Sequence, residues 1–196
     1  MEEFHKIRRL PPYVFEEVNR LKATARAGGA DIVDLGMGNP DIAAPGDVVL
    51  CPNPTYPIHA FGFIMSGGTI RAIPAKPDDD FLVAIDRAVR YSIPKPIAII
   101  LNYPANPTAF EADLDFYREI VAFARKHEIV VLSDLAYAEI FFDGSPPPSI
   151  LEVEGAMDVA VEFTSMSKTF SMPGWRMGFA VGNERLLAAL ARVKSY

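Results

Sequence analysis

The chain has 196 residues, with 19 Lys and Arg against 25 Asp and Glu, a formal net charge of −6, and half its residues apolar. So much apolar content excludes a disordered chain, and an acidic balance without Lys/Arg runs argues against a general nucleic-acid-binding role. A single cysteine, Cys51, excludes an internal disulfide and a cysteine-based metal cluster. The start, Met1-Glu2-Glu3, has no apolar stretch behind it, and the densest apolar run, Ile97 to Leu101, suits a buried strand rather than a membrane span. No membrane partner is therefore expected, and the cytoplasm is the expected compartment. Seventeen prolines among 196 residues exceed the roughly 5% of average usage.

A polar arm with Lys6, Arg8 and Arg9 opens the chain and reads equally as a solvated tail or as an arm that packs on a partner subunit. Pro12 to Ala27 is an expected amphipathic helix, with Phe15, Val18, Leu21 and Ala25 near helical spacing and Gly28-Gly29 ending it. From Asp47 onward, short Val- and Ile-rich runs alternate with helical patterns. Strands are expected at 48–51, 69–73, 97–101, 129–132, 159–163 and 177–181, and helices at 58–65, 80–91 and 112–127. Asn183 reads as an N-cap for a last helix through Leu186, Leu187, Leu190 and Val193. Continuous apolar strands between helices predict an α/β fold, a three-layer sandwich around a mostly parallel sheet.

In such sheets chemistry belongs at the carboxyl ends of the strands. Those ends carry Pro52 to Tyr56, Asn102 to Thr108, Ser133 to Tyr137 and Thr164 to Lys168, and many of the prolines fall there. Lys168 is the most informative residue. A desolvated lysine becomes a nucleophile toward an aldehyde, although an isolated Ser-x-Lys is more often a solvated surface lysine. Its company shifts the balance. Arg176 can clamp a phosphate, Ser165 can add a hydroxyl, Asp134 can pair with a protonated ring nitrogen, and Tyr137 and Asn106 can hydrogen-bond a phenolic oxygen. Together they match the needs of pyridoxal phosphate.

Asn106-Pro107-Thr108, Asp134-x-x-Tyr137 and Ser165-x-x-Lys168 with Arg176 resemble the signature of the class I/II, fold-type-I aminotransferases. Gly36-Met37-Gly38-Asn39-Pro40-Asp41 and Pro54-Thr55-Tyr56-Pro57-Ile58-His59 are similar to the branch holding glutamate–pyruvate transaminases and diaminopimelate aminotransferases. The resemblance implies a pyridoxal-phosphate enzyme moving an amino group between a small, alanine-like amino acid and a 2-oxo acid. It implies a homodimer for the intact architecture, with Lys168 as cofactor anchor and proton carrier. Asp134 would serve the pyridinium, Asn106 and Tyr137 the ring oxygen, Tyr56 the ring face, Ser165 and Arg176 the phosphate, and Gly38 the substrate carboxylate, with Asn106 also facing substrate.

Two readings of another kind stand beside it: a non-catalytic cofactor-binding or dimerising remnant, and a β-lyase on the same fold. The family carries a segment between the Gly-Asn-Pro-Asp motif and Pro45-Gly46-Asp47 that is missing here, including a helix opening under the phosphate. Weaker cofactor binding is the expectation. The domain expectation is an N-terminal arm, helix and Gly-Asn-Pro-Asp segment over 1–41, and a partial cofactor-binding large domain over 42–196. The C-terminal small domain is expected to be absent. The substrate-carboxylate arginine of the family has no counterpart, and Arg192 reads as a helix-face residue. Ala109 stands where the family has glycine, which is tolerable unless the position needs positive φ. His5, His59 and His127 are too scattered for a metal site, and none is expected. Asp78-Asp79-Asp80 reads better as an acidic helix start than as a cation site.

Overall fold

The computed structural model describes residues 46–194, Asp143 excepted. The expected helix over 12–27, the basic arm and Gly38 lie outside the described residues. Among the described residues six strands form one sheet: β1 Val48–Asn53, β2 Thr69–Pro74, β3 Pro96–Asn102, β4 Val130–Asp134, β5 Ala160–Ser165 and β6 Gly178–Gly182. Their spatial order is β2-β1-β3-β4-β5-β6. The first five run parallel, and β6 pairs antiparallel with β5, from Val161 opposite Gly182 to Ser165 opposite Gly178. The expected mostly parallel α/β sheet is observed.

Helices α1 Pro57–Met65, α2 Asp79–Tyr91 and α3 Leu114–His127 connect the parallel strands, and α6 Glu184–Lys194 follows β6. Caps set several boundaries. Asp78 accepts from Phe81 N–H at the start of α2, and Asp113 accepts from Phe116 N–H at the start of α3. Asp78 also meets Lys76 at 3.1 Å, and that contact, with backbone hydrogen bonds, lowers its carboxyl pKa. The acidic run is thus a helix start. Asn183 accepts from Leu186 N–H, as its N-cap reading requires.

Two cores flank the sheet. On one face Leu50, Ile73, Ile99, Leu101 and Val131 meet Phe81, Ile85, Tyr117, Ile120 and Ala124 of α2 and α3. On the other, Val49, Cys51, Ala98, Ile100 and Leu132 meet Phe63 of α1. Each fully buried large side chain stabilises by about 1.5–3 kcal/mol. Burial also pushes the Cys51 thiol up to about 12, partly offset by a hydrogen bond with Thr55, so it stays neutral and unreactive at physiological pH.

The segment between β4 and β5 is tied down by one acid. Glu162 is buried on β5 and accepts from Ser133 Oγ at 3.2 Å, Ser149 Oγ at 2.5 Å and Ile150 N–H at 3.1 Å. Ser149 and Glu152 form a reciprocal capping box around the 3₁₀ turn Ile150–Glu152. A four-residue helix, α4 Ala156–Val159, leads into β5, and α5 Met166–Thr169 leaves it. These short elements were not expected, because four residues carry no hydrophobic period.

Candidate functional site

Strand alternation puts Ala98, Ile100 and Asn102 of β3 on the same face as Leu132 and Asp134 of β4, the face that α1 covers. Asn102 and Asp134 are the last residues of their strands, so their side chains emerge where the polar loops begin. Helix α1 carries one polar side chain on that face, His59, which is buried. Its Nε2 lies 2.8 Å from Asp134 Oδ2, and its Nδ1 lies 2.7 Å from Thr55 Oγ1. An ionised carboxylate only accepts, so Nε2–H donates to Asp134, while the Thr55 hydroxyl hydrogen-bonds Nδ1 on the other side of the ring. Asp134 Oδ1 accepts from Ala136 N–H at 3.1 Å. The carboxylate is therefore fixed in orientation by two donors.

The Asn102 amide braces the next loop. It donates to the Asp134 carbonyl at 2.9 Å and accepts from Asn106 N–H at 3.0 Å. Asn106 Nδ2 in turn donates to the Tyr137 hydroxyl at 3.2 Å. Asn53–Pro54, Tyr103–Pro104 and Asn106–Pro107 in these loops are cis. The turn after Pro107 closes through Ala109 N–H to the Ala105 carbonyl, with Ala109 at φ 57°. Ala109 is therefore strained, because the left-handed region costs an L-residue about 1–2 kcal/mol.

Lys168, in α5, places its Nζ 5.7 Å from the centre of the Tyr137 ring. Tyr56 precedes α1 and meets His59 edge-on, ring centres 5.8 Å apart. A continuous set of contacts thus links Lys168, Tyr137, Asn106, Asn102, Asp134, His59 and Tyr56. Ser165 holds the N-cap position of α5 without a capping bond from its side chain. Arg176 follows the 3₁₀ turn Pro173–Trp175, and its guanidinium reaches Ser167 Oγ at 3.4 Å and the Pro173 carbonyl at 3.2 Å. The antiparallel turn back into β6 brings Arg176 to the same sheet end as Lys168, closed by Met166 N–H to the Met177 carbonyl. Of the expected residues, Gly38 alone lies outside the described part.

Two corrections follow. Lys168 is exposed, so the desolvation expected to activate it is not supplied by the described residues. His59, set aside with the scattered histidines, is a buried partner of Asp134; the signal for it was a lone polar residue inside an otherwise apolar nine-residue helix. The donor set fits pyridoxal phosphate: a carboxylate anchored on both oxygens, an amide–phenol pair, a primary amine beside an aromatic ring, and a guanidinium hydrogen-bonded to the Ser167 hydroxyl. Among the described residues, no cluster of His, Cys, Asp or Glu could hold a metal ion, and no helix is long and apolar enough to cross a membrane.

Comparison with known proteins agrees with this chemistry. The model of the "Aminotransferase class I and II" family matches residues 39–196. The putative aminotransferase AatC of Rhizobium meliloti (strain 1021) is 57% identical over 266 aligned positions, covering all of this chain and 66% of that protein. Glutamate-pyruvate aminotransferase AlaC of Escherichia coli (strain K12) is 38% identical, covering 98% of this chain and 64% of that protein. Substrate-bound BacF of Bacillus subtilis superposes with a TM-score of 0.73 at 38% identity, over 82% of this chain and 40% of that one. The chain spans a little under two thirds of the first two relatives. Against AatC the 266 aligned positions exceed the 196 residues present by 70, so residues inside the matched span are missing here.

Proposed function

The chain belongs to the class I and II aminotransferase family, whose members use pyridoxal phosphate, and on that footing we propose that its site serves amino-group transfer between a small, alanine-like amino acid and a 2-oxo acid. The observation carrying this is the His59–Asp134 pair set beside Tyr137, Asn106 and Lys168. When bound, pyridoxal phosphate supplies an electrophilic aldehyde and an electron-accepting ring. In this reading the Asp134 carboxylate, held by His59 Nε2–H, presents fixed negative charge to a protonated ring nitrogen. Asn106 Nδ2 and the Tyr137 hydroxyl orient a phenolic oxygen, and Tyr56 covers the ring face. Ser165 and Arg176 bind the phosphate, while Lys168 Nζ is the point of covalent attachment and carries the transferred proton. Gly38 belongs to the substrate-carboxylate side, with Asn106 facing substrate as well.

The domain assignment goes with this proposal: 42–196 is part of the cofactor-binding large domain, and 1–41 leads into it. A homodimer is the assembly, and the cytoplasm the compartment. A second reading, a cofactor-binding or dimerising remnant without turnover, is favoured by the exposure of Lys168 together with the 70-position shortfall.

Spectroscopy separates the readings. Adding pyridoxal phosphate to the purified chain is expected to raise a visible absorption band, and borohydride is expected to trap the cofactor on Lys168. Equal trapping by Lys168→Ala would refute the site. A band without pyruvate from alanine and 2-oxoglutarate would leave the remnant reading standing.

A further inference from the structure

β2 is an edge strand, paired among the described residues with β1 alone. Its outer backbone groups therefore have no strand partner among the described residues, and a groove lies beside the strand. The groove, with a volume of about 470 Å³, lies between Arg71, Ala72 and Ile73 of β2 and one side of α2: Asp80, Val83, Ala84, Arg87, Ala88 and Tyr91. Helical spacing of three and four residues puts these six positions in a single stripe. An edge strand beside a helix is the arrangement into which an extended peptide can add as a further strand.

Charge selects among such peptides. Two guanidiniums, Arg71 and Arg87, line the groove against one carboxylate, Asp80, in a chain that is otherwise net acidic. Among the described residues no carboxylate pairs with either arginine, whereas Arg90 on the same helix is taken up by Asp86 at 2.7 Å. Apolar contact is available too: Val83 is 61% exposed and Tyr91 75%. A second copy of β2 is a poor occupant, since like charges would meet across the new pairing and Pro74 removes a donor.

We propose that the β2–α2 groove is a docking site for an extended acidic peptide segment of another protein, which adds to the free edge of β2 and sets alternate carboxylates against Arg71 and Arg87. Side chains of an added strand alternate between the two faces. The preferred pattern therefore has acidic residues at every second position, on the side of α2. The groove is separate from the candidate cofactor site, and the proposal stands without it.

The test uses the full 196-residue chain and fluorescein-labelled, end-blocked hexapeptides of alternating Asp and Val. Fluorescence anisotropy is expected to show saturable, salt-sensitive binding of the Asp peptide and none of a Lys-for-Asp version. Arg71→Glu and Arg87→Glu are each expected to weaken binding by about tenfold. N-methylation of every second backbone amide discriminates strand addition from mere charge attraction: one of the two staggered sets abolishes binding and the other does not. Equal binding of both N-methylated sets, absence of saturable binding, or displacement by free glutarate at the affinity of the peptide would each overturn the proposal. Because the peptide series needs only the unaltered chain, a variant that fails to fold does not shield the idea.

Discussion

His59 and Ala109 show how single side chains set the quality of this site. Hydrogen bonds to charged groups contribute about 1.5–3 kcal/mol, and His59 supplies one to Asp134 from a buried position. On the proposed reading, His59→Phe removes that donor while keeping an aromatic ring of similar shape on α1. Cofactor affinity is expected to fall at least tenfold in equilibrium dialysis, with the circular-dichroism spectrum unchanged; unchanged affinity would show that Asp134 is oriented without it. Ala109 makes the opposite prediction. With φ at 57°, Ala109→Gly relieves left-handed strain at some cost in chain entropy, for a net gain of about 0.5–1 kcal/mol in urea unfolding. A loss of stability would mean that the Cβ is stabilising in place.

The longer elements were legible in the sequence for a physical reason. α3 shows Phe116, Tyr117, Ile120, Val121 and Ala124 on one buried face, and β3 is a continuous apolar run, so each announces its period. The candidate residues were legible where family motifs stand at or just after strand ends, as at Asn106, Asp134 and Lys168. What was hidden depends on distant pairing. His59 is matched to a carboxylate 75 residues away, and Glu162 finds its donors on β4 and in the turn before β5. Burial raises its carboxyl pKa despite three donors, so the folded chain holds the proton more tightly than the unfolded chain. The corresponding stability is fully present below the unfolded value, near 4.5, and is lost as pH rises through the folded one. Glu162→Gln is expected to flatten that decline, read as urea midpoints between pH 4.5 and 7. An unaltered pH profile would place the proton linkage elsewhere.

At the scale of the whole molecule, the two edges that the described residues give the sheet are unlike. β2 carries Arg71 and Pro74, which disfavour pairing with a second copy of itself, whereas β6 is Gly178-Phe179-Ala180-Val181-Gly182, with neither charge nor proline to discourage such self-pairing. Phe179 and Val181 are 52% and 51% exposed, and Phe170, Trp175 and Met177 lie exposed beside them in sequence. So large an apolar surface predicts self-association. Sedimentation velocity is expected to show concentration-dependent oligomers that Phe179→Lys and Val181→Lys reduce; a monodisperse monomer of the unaltered chain would contradict this.

The reversal of β6 also ties ligand occupancy to the mechanics of the sheet. A parallel β6 would begin at the far end of β5; the antiparallel one begins beside Ser165, with Gly178 so close to the Thr164 carbonyl that an added Cβ would sit 2.7 Å from it. Lys168 and Arg176 therefore hang from one short hoop whose two feet are the adjoining strand ends. Peeling β6 away would carry off the hoop, and with it the proposed cofactor anchor and phosphate clamp in a single event. A ligand spanning Lys168 and Arg176 would act as a rivet across that seam, so loading with pyridoxal phosphate is expected to slow amide hydrogen exchange along Phe179–Val181, though these residues need never touch it.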